Sequence, residues 1–118
     1  MSSIYNINID QGSTYRLSVT YQDPDGNPIS NFGYSANLQV RTSYTATSAN
    51  INLTSAPPYG LQMGGANGVI DITFQPIDTQ LLEYVKRAYV YDLELTSGSG
   101  EVTRLIEGTF LLFPEATR

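Results

Sequence analysis

The chain reads as an all-β protein: a single antiparallel β-sandwich, Ig-like or related, of about seven to eight strands with one short helix near residues 78–85. Three observations predict this. Apolar residues recur at every second position along most of the chain, the period of a strand with one buried face. Clusters of Gly, Pro, Asn and Asp interrupt those runs at short intervals. Charged residues make up only 14% of the sequence, and Ser, Thr, Asn, Gln, Gly and Tyr fill the gap, a mixture that favours strands and turns over surface helices. A small closed barrel is the runner-up. With 118 residues, 41% of them hydrophobic, the chain is long enough to bury a core unaided, and residues 1–118 form one domain without internal repeat or linker.

In order, Ile4-Tyr5-Asn6-Ile7-Asn8-Ile9 alternates as a first strand with Tyr5, Ile7 and Ile9 inward, and Asp10-Gln11-Gly12-Ser13 turns the chain. Tyr15, Leu17, Val19 and Tyr21 then alternate with Arg16, Ser18, Thr20 and Gln22 in a half-buried strand. Pro24 and Pro28, which deny ladder donors, end it around the turn-forming Asp25-Gly26. Tyr34, Ala36, Leu38 and Val40 give a third strand, and residues 42–50, rich in Ser, Thr and Ala, a loop or irregular edge. Short strands follow at Ile51 and Leu53 and at Tyr59, Leu61 and Met63. Gly64-Gly65-Ala66-Asn67-Gly68 is a turn, and Ile70, Ile72 and Phe74 share one face of the next strand. Asp78 as cap, with Leu81, Leu82 and Val85 at helical spacing, predicts a helix of about two turns, too short to stand alone and so packed as a lid on a sheet end.

Residues 89–113 are the structural centre, a hairpin turning at Ser97-Gly98-Ser99-Gly100. A two- or four-residue loop sets Leu93 opposite Arg104, Asp92 opposite Leu105 and Glu94 opposite Thr103. Arg104 then stands among apolar neighbours on the Tyr91 and Leu95 face; a bulge would reverse the faces.

Composition excludes several functions. A net charge of −5 with six scattered basic residues gives neither the clustered cations of a nucleic-acid binder nor a polybasic route to a membrane. No apolar segment approaches the roughly 20 residues of a membrane-spanning helix. Met1-Ser2-Ser3 lacks the basic and apolar regions of a signal peptide, so export by that route is not expected. Without Cys there is no disulfide framework. Without His or Cys, Ser/His/Asp and Cys/His catalysis are impossible within one chain, and the favoured zinc ligands are missing. Carboxylate chemistry among the eleven Asp and Glu residues is the remaining enzymatic option, and it requires two carboxylates converging in one cleft. Asp23-Pro24-Asp25-Gly26-Asn27 departs from a calcium loop, since Gly26 falls at the fourth place rather than the sixth and Tyr34 stands where a bidentate Glu belongs. The glycines at 64–68 lack the Lys-Ser/Thr of a phosphate loop. No catalytic residue, metal ligand or cofactor is expected.

Five of the nine tyrosines, Tyr15, Tyr21, Tyr34, Tyr89 and Tyr91, lie in phase with Leu or Val and are expected to face the core with the hydroxyl at its rim. Spacing leaves Tyr5, Tyr44, Tyr59 and Tyr84 open between a carbohydrate platform and a protein interface. Low charge with abundant Tyr suits an interface. Tyr44, Tyr59, Tyr84 and Arg104, with Glu115 and Arg118 of the polar tail beyond Pro114, are the candidate contact residues.

Several phrases together, Ile9-Asp10-Gln11-Gly12-Ser13-Thr14-Tyr15, Asp25-Gly26-Asn27-Pro28-Ile29, Gly33-Tyr34-Ser35-Ala36 with Gln39-Val40-Arg41, Tyr91-Asp92-Leu93-Glu94-Leu95, and Val102-Thr103-Arg104-Leu105-Ile106-Glu107-Gly108 running to Pro114-Glu115-Ala116-Thr117-Arg118, span nearly the whole chain. In that combination the chain resembles a family of small β-sandwich proteins and domains encoded among tailed-phage virion genes, including phages of cyanobacteria. It is more distantly similar to the N-terminal domain of upper baseplate proteins, which attaches receptor-binding parts to the tail. The resemblance implies a non-enzymatic assembly adaptor at the baseplate, tail fibre or capsid, made in the host cytoplasm and carried in the virion. Its implied partners are other virion proteins, met as a homo-oligomer or in several symmetric copies, with no cofactor, nucleic acid or membrane. Residues 42–68, with Pro57-Pro58, depart from the pattern and would hold a locally specific contact. The alternative is a carbohydrate-binding module that reads host surface glycans through exposed Tyr44 and Tyr59.

Overall fold

The computed structural model describes residues 3–57, 59–80, 82 and 88–114. Period-two alternation resolves into nine strands in these residues: β1 (Ser3–Ile4), β2 (Ile7–Asp10), β3 (Tyr15–Thr20), β4 (Ser35–Arg41), β5 (Ile51–Thr54), β6 (Leu61–Met63), β7 (Val69–Phe74), β8 (Ala88–Thr96) and β9 (Val102–Phe113). A short helix, α1 (Pro76–Gln80), follows β7. The protein is mostly β, in two sheets. The larger runs β1-β9-β8-β4-β5, with β2 also on β9, and the smaller runs β3-β7-β6. Every pairing is antiparallel except those of β1 and β2, which lie parallel to β9.

Alternation places the core where the sequence expects it. Ile7 and Ile9 of β2, Ala36, Leu38 and Val40 of β4, Tyr89, Tyr91, Leu93 and Leu95 of β8, and Ile70, Ile72 and Phe74 of β7 are buried in one cluster. Fully burying a side chain of this size contributes about 1.5–3 kcal/mol, so a ladder of them outweighs any single turn. One aromatic pair bridges the sheets, Phe74 of β7 lying 5.4 Å from Phe110 of β9, and each ring has an aromatic neighbour in its own sheet, Tyr15 at 6.3 Å from Phe74 and Tyr89 at 6.2 Å from Phe110. Tyr5 departs from its expected inward position and is exposed.

The reason is local. The expected first strand is broken at Tyr5 and Asn6 into β1 and β2, where it crosses Gly108 of β9. A Cβ at Gly108 would collide with the Tyr5 carbonyl oxygen and stand 2.9 Å from Asn6 Oδ1. The bare glycine lets the Tyr5 N–H donate to the Glu107 carbonyl at 2.9 Å and the Thr109 N–H donate to Asn6 Oδ1 at 3.1 Å. From beneath, the buried Tyr91 hydroxyl donates to the Tyr5 carbonyl.

The final hairpin forms with a different register from the expected one. Thr96 pairs with Val102, Leu95 with Thr103 and Glu94 with Arg104, so five residues rather than two or four span the turn. A β-bulge then shifts the ladder, and Leu93 pairs with Ile106 and Asp92 with Glu107. The added residue keeps Leu93 and Ile106 inward but turns Arg104 to the outer face, away from the apolar neighbours expected for it. The turn is held by backbone bonds from Ser97 N–H to the Glu101 carbonyl at 2.8 Å and from Gly100 N–H to the Ser97 carbonyl at 3.0 Å.

The helix starts earlier than its expected cap and is shorter than the expected two turns, covering Pro76–Gln80 and ending before Leu82. Pro76 opens it, and Asp78, placed in its first turn, reaches back so that its carboxylate accepts from the Gln75 N–H at 2.7 Å. Leu81 and Val85, expected on its apolar face, lie outside the described residues, while Leu82 is buried. Gln11, buried in the expected turn after β2, donates to the carbonyls of Thr79 and Leu82, both at 3.1 Å. The Gly12 N–H donates to Thr79 Oγ1 at 2.7 Å, so these bonds pin the helix to the end of the larger sheet, the lid position expected for it. Asn31 acts similarly for the 64–68 turn: it accepts from the Gly65 N–H at 2.7 Å and donates to the Val69 carbonyl at 3.1 Å.

Gly108→Ala is therefore expected to destabilise the protein by about 1–3 kcal/mol in urea unfolding, with the Tyr5 and Thr109 amides exchanging faster in hydrogen-exchange measurements. Wild-type stability and protection in this variant would show that the crossing does not hold the N-terminal strands.

Candidate functional site

The outer face of the larger sheet is set by the same alternation that builds the core. Gln39 and Arg41 point outward from β4, Val90, Asp92 and Glu94 from β8, and Arg104 and Glu107 from β9. The loop after β4 carries Tyr44 over them. Together these residues line an open depression of about 370 Å3.

The loop is fastened to the sheet by Arg41, whose guanidinium donates to the Ala46 carbonyl at 2.8 Å and to Gln39 Oε1 at 2.7 Å. Gln39 Nε2 in turn donates to Asn52 Oδ1 of β5 at 3.4 Å, and the Asn50 N–H closes the loop onto the Val40 carbonyl at 2.7 Å. Asp92 and Glu107 are direct cross-strand partners, a like-charge arrangement that is unfavourable alone. Arg104 offsets it, with Nε 3.4 Å from Asp92 and an Nη 3.9 Å from Glu107. Its side chain is 48% exposed, so this charge triad contributes little to stability and mainly fixes geometry.

Tyr44 is half-exposed, yet its phenol is held above the ordinary value, first by partial burial and then by the negative fields of Glu107 and Asp92, with Arg104 opposing. Tyr91 lies beneath the depression with its ring in the core. Burial pushes its phenol strongly up, assisted by Tyr5, Tyr15 and Tyr44.

The structure thus brings Tyr44 and Arg104, two of the sequence candidates, into one site. Tyr59 is exposed at a positive φ of 60° in the turn before β6 and does not line the depression. Tyr84, Glu115 and Arg118 lie outside the described residues. Sequence reasoning missed Gln39, Arg41, Asp92, Glu94 and Glu107 as site residues. Their signal was present in the outward phase of two strands read only for their inward phase.

Carboxylates do converge here, the geometric condition set for a carboxylate enzyme. A glycosidase pair, however, needs one acid held protonated by an apolar setting beside a second that stays ionised. This floor is polar and open, and its facing carboxylates share a guanidinium. Elsewhere, the Asp23 carboxylate accepts from the N–H groups of Asp25 at 3.0 Å and Asn27 at 2.9 Å, so it shapes its own turn. Among the described residues no group of three or more Asp or Glu side chains is arranged to hold a metal ion. No protein-family model matches the chain, and no curated protein is significantly similar to it.

Four tyrosines, Tyr15, Tyr34, Tyr44 and Tyr91, are held above the ordinary phenol value of 10.0. As pH rises past that value the unfolded chain releases these protons first, so it binds fewer protons than the native state and stability must fall. Below it, both states keep them and this contribution is complete. Unfolding midpoints should therefore decline above about pH 10, and more shallowly in Tyr91→Phe. An equal slope in that variant would show that Tyr91 is not responsible.

Proposed function

We propose that this chain is a non-enzymatic structural component of a tailed-phage virion, an Ig-like or related β-sandwich that acts as an assembly adaptor at the baseplate, tail fibre or capsid. The observation that carries the reading is the state of the sheet edges. β5 ends the larger sheet, and β3 and β6 flank the smaller one, each with one side free of any strand among the described residues. The six residues of β3 offer a ladder long enough to take a strand from another protein.

Large apolar side chains also stand in solvent, Ile4 on β1, Val102 on β9 and Phe32 in the segment before β4. Phe32 is 73% exposed, Ile4 79% and Val102 57%. Single exposed apolar residues are ordinary, but several of this size together with open edges suit a protein whose surface is completed by neighbours. Low charge density acts in the same direction, because interface cores are depleted in Lys, Asp and Glu. The partners are other virion proteins, met in several symmetric copies, and the location is the virion after synthesis in the host cytoplasm. The resemblance read from the sequence supplies the phage context.

Mass spectrometry of purified particles should find the chain at a stoichiometry that matches a symmetric position, and the recombinant protein should assemble with at least one isolated virion component. A chain missing from particles and inert towards every component would sink the adaptor reading.

A further inference from the structure

The Tyr44 depression has a narrower chemistry than a general contact surface, and it is independent of any role in a particle. Its floor sets two guanidinium groups against three carboxylates, so the formal charges nearly cancel. Both guanidinium groups are already engaged: Arg41 by Gln39 and the Ala46 carbonyl, Arg104 by Asp92 and Glu107. An anionic ligand would meet guanidinium groups whose charge is already offset, with carboxylates around it. A basic side chain would have to displace Arg104 from the seat between its two acids.

What stays open is a ring of planar groups with spare lone pairs and N–H edges, beside an aromatic ring that is 56% exposed. Neighbouring hydroxyls on a sugar both donate and accept, which matches carboxylate, amide and guanidinium edges together. The C–H face of a pyranose is apolar and stacks on a phenol ring. A volume of about 370 Å3 lies within the usual size of small-molecule sites, about 300–1,000 Å3. Because the depression is open at its sides, a ring within a longer chain can enter it with its neighbours in solvent.

We propose that this depression is a subsite for a neutral saccharide, with Tyr44 as the stacking platform and Gln39, Asp92, Glu94 and Arg104 as its hydrogen-bonding partners. Asp92 and Glu107 lend the phenol a negative field, which favours the polarised C–H groups of a sugar. Tyr59, which does not line the depression, takes no part.

The test uses the whole chain with lactose, maltose, chitobiose and methyl mannoside as probes in saturation-transfer NMR, followed by a printed array of neutral and acidic glycans. At least one neutral saccharide should receive saturation and shift the amides of Tyr44, Asp92 and Glu94. Tyr44→Ala should weaken that binding about tenfold or more, Glu94→Gln should weaken it less, and Tyr59→Ala should leave it unchanged. Circular dichroism of each variant reports folding, and Tyr44 sits on a loop outside the core. The proposal is overturned if no neutral saccharide binds, if Tyr44→Ala binds as tightly as the wild type, or if only acidic glycans or a lysine-rich peptide shift these amides.

Discussion

The larger sheet depends on the missing side chain at Gly108. β9 is its organising strand, with β8 on one side and both N-terminal strands on the other. For β1 and β2 to share that second edge, the chain between them must pass close to β9, and only a residue without Cβ lets the Tyr5 carbonyl lie there. The same carbonyl accepts the Tyr91 hydroxyl, so the crossing is clamped by the backbone of one strand and the side chain of the next. That arrangement makes the first and last strands neighbours.

The bulge in the final hairpin acts in the other direction, on the surface rather than the core. One extra residue leaves Leu93 paired with Ile106 and puts Arg104 opposite Glu94. Without it, the ladder near the turn would carry its phase straight through, and either Arg104 or Ile106 would face the wrong way. Placing a guanidinium among apolar rings costs far more than a local break in hydrogen bonding. The bulge therefore resolves a conflict written in the sequence, and the resolution puts a cation between Asp92 and Glu107.

This explains what could be read in advance. Strands with a clean inward phase, such as Ala36-Leu38-Val40, Ile70-Ile72-Phe74 and Tyr89 to Leu95, were legible because burial acts on each residue separately and leaves a period of two. The bulge was open only as an alternative to the regular ladder, since its cause is a mismatch between two strands, and either strand alone reads as regular. Gln11 and Asn31 were invisible. They look like turn residues, and their partners lie 68, 71 and 34 or 38 positions away. The helix start fell between these cases: the sequence holds both Pro76 and Asp78, and in the fold Pro76 opens the helix while Asp78 reaches back to the Gln75 N–H.

The two surfaces to which we propose roles are set by different features of the same sheets. Open edges follow from strand order, which among the described residues leaves β3, β5 and β6 each with an unused side. The depression follows from strand phase, which sends polar residues of β4, β8 and β9 to one face, and from Arg41, which draws the following loop back over them. A strand added to an edge pairs through its backbone and is indifferent to most outward side chains, whereas a ligand on the face meets only those side chains. Changes at Tyr44 or Glu94 therefore leave the edges intact, and a partner bound at β3 leaves the face open. On those physical grounds one small domain can hold its place among neighbours by its edges while its outer face stays available to a second, chemically distinct ligand.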